Sequence, residues 1–216
     1  MESFCPLHID LEGREGLVIG GGSVAERKVK TMLAYRTRVS VVSPSLNPVL
    51  GQMHKQGDIE YLADIYRPVY LKNKFMVICA TNSKEVNRQA AEDCKERGIL
   101  VNSVSEPDMC NFFLPALLKK GPLTISVSTA GKSPALARRL RDQLNNSLGI
   151  EHAEFACFLG EIRPLVMEKV EDKAHRRALF EKLAGEEFFS EFMKLPRAVI
   201  DRKVAELIEA YSREES

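Results

Sequence analysis

The chain has no uninterrupted apolar run near the roughly 20 residues that a bilayer-spanning helix needs, so no membrane span is expected. It begins Met1-Glu2-Ser3-Phe4-Cys5-Pro6, without the basic and apolar regions of a secretory signal, and a cytoplasmic location is the expectation. Charge imbalance is absent too: the formal net charge is +1, which gives no global pull toward nucleic acid or a membrane surface. The five cysteines (Cys5, Cys79, Cys94, Cys110 and Cys157) are odd in number and widely spread, with no CxxC pair. The four histidines (His8, His54, His152 and His175) are scattered, so no metal site is expected. Repeats and low-complexity segments are also missing. What remains is an ordinary globular composition, 44% apolar and 28% charged over 216 residues, enough for one domain with a smaller appendage.

The most informative stretch is Gly16-Leu17-Val18-Ile19-Gly20-Gly21-Gly22-Ser23-Val24-Ala25-Glu26-Arg27-Lys28, an apolar strand, a glycine turn and a helix start in succession. The spacing Gly20-x-Gly22-x-x-Ala25 fits a dinucleotide-binding turn. The first glycine permits the tight turn, the second admits a pyrophosphate to the backbone, and the small third residue lets helix pack on strand. Ser23 followed by Glu26 reads as a capping box, which would put the helix N-terminus where a diphosphate is held. A glycine turn of this kind also joins strands to helices where no ligand binds.

Leu17–Gly20, Val39–Val42, Phe75–Ala80 and Ile99–Val104 are short apolar runs rich in β-branched residues, as in strands buried on both faces. Ile59–Leu62 is a further short candidate. Val24, Val29, Met32 and Leu33 fall on one side of an intervening helix. Val86, Ala90 and Cys94 do so on another, with Asn82 and Glu85 placed for a capping box and Gly98 as a helix stop. Strands alternating with helices predict an α/β fold with a Rossmann-type parallel sheet over residues 1–113. Gly121-Pro122 then punctuates the chain, Leu123–Ser128 alternates as a half-exposed strand, and Ser133-Pro134 opens a helix through Leu136, Leu140 and Leu144. From Glu151 the period is helical throughout. Its apolar stripes are Phe155, Phe158, Leu159, Ile162 and Val166; Phe188, Phe189, Phe192 and Met193; and Ile200, Val204, Leu207, Ile208 and Tyr211. Residues 114–150 are therefore taken as a small separate segment and 151–216 as a helical C-terminal domain.

A dinucleotide site of this type usually carries an acid at the tip of the second strand, for the adenosine ribose. Here that tip reads Val42-Ser43-Pro44-Ser45, while Arg36 and Arg38 lie close in sequence and could meet a 2′-phosphate, so the residues leave NAD and NADP open. Ala80-Thr81-Asn82-Ser83 would fall at the carboxyl edge of the sheet, where open α/β folds bind ligands, although Asn82 and Ser83 also suit a plain helix cap. Between Lys119 and Arg141 stand six cations (Lys119, Lys120, Lys132, Arg138, Arg139 and Arg141) and no acid. With the hydroxyls of Ser128-Thr129-Ala130-Gly131-Lys132-Ser133, they suit a substrate with several carboxylates, or simply a solvated basic face.

Taken together these residues resemble the precorrin-2 dehydrogenase family, the module of siroheme synthases that in some members also acts as a sirohydrochlorin ferrochelatase. The resemblance runs through Pro6-Leu7-x-Ile9-Asp10-Leu11, Gly20–Lys28, Val41–Pro44, Ala80-Thr81-Asn82, Val101-Asn102, Cys110–Ala116, Gly121–Thr129 and Gly131–Arg138. It implies hydride transfer from precorrin-2 to NAD, giving sirohydrochlorin, with Fe2+ insertion to siroheme as a second activity in some members. It further implies a homodimer interlocked by the segment after the Rossmann domain, with neither nucleic acid nor membrane as partner. By the family pattern the cofactor residues are Gly20, Gly21, Gly22, Ser23 and Val24 at the diphosphate, Pro44 and Ser45 along the adenosine, and Ala80 and Thr81 at the strand edge. The tetrapyrrole, a polycarboxylate, would meet Asn102, Ser128, Thr129, Lys132, Ser133 and Arg138.

One departure matters. The family reads Asn-Val-Val-Asp at the end of the fourth core strand, and that aspartate is its candidate for proton removal or for aiding metal insertion. This chain reads Asn102-Ser103-Val104-Ser105-Glu106, with Ser105 at the aspartate position. A serine cannot serve as a carboxylate base. Glu106 is the nearest replacement, but successive residues of a strand face opposite ways. Dehydrogenation can survive on positioning alone, whereas ferrochelation loses the group it would need. The expectation is an NAD-dependent precorrin-2 dehydrogenase. The alternatives are a bifunctional dehydrogenase and ferrochelatase, or a non-catalytic tetrapyrrole- and nucleotide-binding protein.

Overall fold

In the computed structural model, which describes residues 4–213, five strands run parallel in one sheet: β1 (Glu15–Ile19), β2 (Arg38–Val42), β3 (Ile59–Leu62), β4 (Met76–Cys79) and β5 (Leu100–Ser103). Their order is β3-β2-β1-β4-β5, so the connection from β3 to β4 carries the chain across the sheet, and the strand order reverses between β1 and β4. Each central strand is apolar on both sides because each side meets a different core. Leu17 and Ile19 of β1 pack with Val77, Cys79 and Val101 against Ala90, Ala91 and Cys94 of α3 (Lys84–Glu96). Val18, between them, packs the other way with Val41 and Ile78, against Ala25, Val29 and Met32 of α1 (Ser23–Leu33). The Rossmann-type expectation is thus met strand by strand.

The helix starts differ from the capping boxes that the sequence suggests. At α1 the N-cap is Gly22, with no side-chain cap, and Ser23 is already the first helical residue. Glu26 instead accepts from Lys30 (2.5 Å) and from Asn47 Nδ2 (2.8 Å). At α3 the cap is Ser83, whose hydroxyl accepts from Val86 N, rather than Asn82. Gly98, with φ +66°, lies just past the end of that helix, in keeping with its reading as a stop. A helix that the apolar pattern does not reveal, α2 (Pro48–Gln56), carries an Asn47 cap, Pro48 in its first turn and Gly57 at φ +81°.

The described chain divides into two compact units, the first ending at Leu114 and the second beginning at Pro115. In the second, β6 (Ala116–Lys120) pairs antiparallel with β7 (Leu123–Val127) across Gly121-Pro122, and of the two only β7 is expected from the sequence. α4 (Pro134–Ser147) opens on the Ser133 cap and first-turn Pro134, as expected. Yet Leu136, Leu140 and Leu144 remain 43%, 38% and 37% exposed. The remaining helices are α5 (Ile150–Lys169), α6 (Lys173–Leu183), α7 (Glu186–Lys194) and α8 (Arg197–Arg213). They close around Phe155, Phe158, Ile162, Val166, Leu179, Leu183, Phe188, Ile200, Val204 and Ile208. Met193, placed on an apolar stripe from its period, is half exposed instead. No helix among the described residues is long and apolar enough to cross a membrane.

Candidate functional site

The carboxyl edge of the parallel sheet is tied together by backbone bonds that leave one helix end open. Gly20 N donates to Val42 O (2.9 Å), Ala80 N to Ile19 O (2.8 Å) and Asn47 N to Gly21 O (2.8 Å). The turns after β1, β2 and β4 are therefore neighbours, and with them Gly20, Gly21, Gly22, Ser45 and Ala80. Gly20 has φ +121°, and a Cβ there would stand 2.5 Å from Ala80 O. A Cβ on Gly21 would collide with Ser45 O. At Gly22 a Cβ would meet nothing within 4 Å. The first two glycines are thus required by the turn itself. Gly22, exposed at the uncapped N-terminus of α1, leaves open space beside first-turn N–H groups of Ser23 and Val24 that no side chain caps. This opening and its donors fit a dinucleotide diphosphate.

At the tip of β2, Ser43 is buried while Pro44 and Ser45 are exposed, and the tip carries no acid or cation. Arg36 and Arg38 do not reach it. Arg38 begins β2 opposite Glu15, with Arg38 Nη1 to Glu15 Oε1 at 3.6 Å, and Arg36 pairs with Glu12 at 2.9 Å. Four strand steps, about 13 Å, separate Arg38 from Val42, so both arginines belong to the amino edge and cannot read a 2′-phosphate at the opposite one.

Beyond β4 and β5 the edge is organised by a residue that carries no motif in the sequence. Asn87 of α3 is fully buried, and its amide bonds to both Thr81 and Ser105. Thr81 Oγ1 also accepts from Ser83 N (3.2 Å). Ser105 and Glu106 lie past the end of β5 at Ser103, so the alternation of a strand does not govern which way Glu106 points. Asn102 is buried, and its amide donates to Phe112 O (3.1 Å) and to Cys110 Sγ (3.6 Å). Its amide donors thus hold the returning 110–112 segment. Cys110 is likewise a structural partner, accepting from Ser103 N (3.1 Å) and donating to Ser103 O (3.3 Å). Burial pushes its thiol pKa up, which keeps it neutral and weakly nucleophilic. Lys28 of α1 is half-buried, and desolvation, with Arg27 nearby, lowers its ammonium pKa.

In the second unit the hydroxyls of the basic segment mostly serve the turn before α4. Ser128 Oγ accepts from Ala130 N (3.1 Å), Thr129 Oγ1 from Ser133 N (3.0 Å), and Ser133 Oγ from Leu136 N (3.2 Å). Ala130 and Gly131 both have positive φ, at +51° and +81°. Lys132 and Arg138 are exposed around this helix start. Lys120, counted among the cations, instead donates to Asn145 O (3.0 Å) and Leu148 O, closing the far end of α4. Among the described residues no group of three His, Cys, Asp or Glu is placed to hold a metal ion.

The chain is similar to known proteins. Residues 7–116 match an NAD(P)-binding family model and residues 120–147 the sirohaem biosynthesis protein central-domain model. Siroheme synthase 1 of Aeromonas salmonicida (strain A449) is 34% identical over 180 residues, covering 83% of this chain and 38% of that protein. The siroheme synthase of Methylobacillus flagellatus is 34% identical over 189 residues, covering 86% and 40% respectively. The chain therefore spans about two-fifths of the length of these relatives. The solved structure titled SirC, precorrin-2 dehydrogenase, superposes with a TM-score of 0.76 at 27% identity, over 96% of this chain and 100% of that one.

Proposed function

The chain belongs to the precorrin-2 dehydrogenase family of siroheme biosynthesis, and we propose that it oxidises precorrin-2 to sirohydrochlorin with NAD+ as acceptor. The observation that carries this reading is the open N-terminus of α1 at Gly22, set at the reversal of strand order between β1 and β4, where open α/β sheets bind ligands. When bound, the nicotinamide supplies the hydride acceptor. The net reaction is precorrin-2 + NAD+ → sirohydrochlorin + NADH + H+.

The chain's own part is positioning. Gly20, Gly21 and Gly22 shape the turn, the N–H groups of Ser23 and Val24 hold the diphosphate, Pro44 and Ser45 lie along the adenosine, and Ala80 and Thr81 border the nicotinamide. NAD is preferred to NADP because the β2 tip presents no cation and Arg36 and Arg38 lie at the other edge. Lys132, Arg138 and the N-terminus of α4 offer cations and backbone donors to the tetrapyrrole carboxylates. Position 105 holds no carboxylate base, so the proton released with the hydride leaves to water, and metal insertion lacks the acid that the family would use for it. The uncovered Leu136, Leu140 and Leu144 stripe supports a second copy packed on α4.

The test is anaerobic incubation of the protein with precorrin-2 and NAD+. NADH absorbance should rise in step with the sirohydrochlorin spectrum, and much more slowly with NADP+. No NADH at any pH, or equal rates with both cofactors, would overturn the corresponding part of the reading. Light scattering should return twice the 24.2 kDa chain mass. A monomer at micromolar concentration removes the dimer.

A further inference from the structure

Asn87 uses its whole hydrogen-bonding capacity on two residues. Its Oδ1 accepts from Thr81 N (3.2 Å) and Thr81 Oγ1 (2.8 Å), and its Nδ2 donates to Thr81 O (2.9 Å) and to Ser105 Oγ (2.9 Å). A carboxamide has two donor hydrogens and two acceptor lone pairs, so nothing is left over. The orientation is also determined. Rotating the amide by 180° would set its NH2 against Thr81 N–H and its oxygen against Thr81 O, which are donor on donor and acceptor on acceptor. Ser105 Oγ must therefore receive a hydrogen from Asn87, and its own hydrogen is left to another acceptor. None of the described residues provides one, and Ser105 is exposed at the same sheet edge as the glycine turn. Thr81, by contrast, spends its N–H, its carbonyl and its one hydroxyl hydrogen on Asn87, and its hydroxyl oxygen accepts from Ser83 N.

We propose that Asn87 is a positioning residue that makes Ser105 the hydrogen-bond donor of this edge, directed at a carbonyl or carboxylate oxygen of the bound ligands. The inference rests on the dehydrogenase reading for the identity of those ligands, the nicotinamide carboxamide or a tetrapyrrole carboxylate. It changes the meaning of the serine. Where the family's aspartate would accept from this amide and present negative charge, Ser105 accepts from it and presents a hydrogen. Position 105 is then neutral and donating, suited to holding an oxygen and unsuited to taking a proton.

Equilibrium titrations of NAD+ and of sirohydrochlorin, each alone, test this independently of turnover. Ser105→Ala should weaken one ligand by about 10-fold if the acceptor is a carboxylate and by about threefold if it is a carboxamide, which identifies the source. Ser105→Thr, keeping the hydroxyl, should restore binding. Asn87→Asp keeps the acceptor bonds to Thr81 N and Oγ1 but sets an oxygen against Thr81 O, so its folding is checked by thermal melting, and it turns an acceptor toward Ser105, drawing its hydrogen inward. It should reproduce the Ser105→Ala loss, and the double variant should lose no more than either single one. Unchanged binding in Ser105→Ala, or fully additive losses in the double variant, would overturn the inference. A wild-type protein that binds both ligands but forms no NADH from precorrin-2 would overturn the dehydrogenase reading alone. One that binds neither would overturn both.

Discussion

Replacing Gly22 by serine should separate the ligand-binding role of the glycine turn from its folding role. Gly22 is the N-cap of α1 with φ −91° and ψ −172°, extended backbone that any residue adopts, and a Cβ there meets nothing within 4 Å. A serine hydroxyl at this position would accept from Val24 N or Ala25 N and improve the cap by a few tenths of a kcal/mol over glycine, about +1 °C in Tm. The same hydroxyl would stand in the opening beside the helix end and, where it accepts from Val24, consume an N–H assigned to the diphosphate. A hydrogen bond to a charged group is worth about 1.5–3 kcal/mol, so NAD+ should bind about 10- to 150-fold more weakly. Gly20→Ala is the contrast. Its φ of +121° and the 2.5 Å approach to Ala80 O force a backbone shift, costing about 3 kcal/mol or roughly 10 °C. Thermal unfolding without ligand, paired with isothermal titration of NAD+, reads both effects. Gly22→Ser binding NAD+ within twofold of wild type would refute the diphosphate assignment, and Gly20→Ala melting with wild type would refute the turn argument.

Other outcomes follow from burial and charge. Cys5 and Cys157 are exposed, whereas Cys79, Cys94 and Cys110 are buried, with the Cys94 thiol pushed up to about 12 by desolvation. A thiol reagent at pH 7.5 should modify two cysteines quickly and the other three only on unfolding; fast modification of a third would contradict the packing. Lys28 has its ammonium pKa lowered in the fold, so between the folded and unfolded values the unfolded chain binds more protons and stability rises with pH. Lys28→Met should therefore raise Tm at pH 7, and the gain should shrink as pH approaches the ordinary lysine range; a constant gain would mean that packing, not charge, is responsible. Arg36→Gln with Arg38→Gln should leave the ratio of NAD+ to NADP+ affinities unchanged, because both side chains pair at the amino edge, and a change in that ratio would overturn that placement. If a second copy packs on α4 as proposed, Leu140→Glu should halve the particle mass in light scattering without lowering the helical content, and an unchanged mass would overturn that packing.

The parts of the fold legible in the sequence are those where a single element carries its own signal. Leu17-Val18-Ile19 and Val39–Val42 read as strands covered on both sides because they are almost wholly apolar, and each side proves to meet its own core. The Ser133-Pro134 helix start and the Gly98 stop likewise depend only on local backbone conformation. The displaced caps show where locality fails. Whether Ser23 or Gly22 is the cap depends on which residue takes extended φ/ψ, and that is decided by Gly20 N on Val42 O and by the crowding of Gly21 against Ser45. The helix α2 and the strand β6 are obscured for a similar reason. Gly51 interrupts the helical pattern of α2, and Lys119-Lys120 give the end of β6 the polarity of a loop.

The site was less legible than the fold, because its polar groups act across elements. Arg36 and Arg38 stand next to the correct strand in sequence but at its wrong end, a distinction that needs the direction of β2 and its register with Glu15. Asn87 has no signature at all. Between Val86 and Ala90 it resembles a solvent-facing helix position, yet it is fully buried because its partners lie 6 and 18 residues away, on the ends of two different strands. The substitution at 105 is visible in the sequence, but only as the loss of an acid. Its chemical consequence is set by Asn87. An amide that donates toward position 105 keeps the serine hydrogen from pointing back at Asn87 and leaves it for another acceptor, so a donor stands where the family has a base.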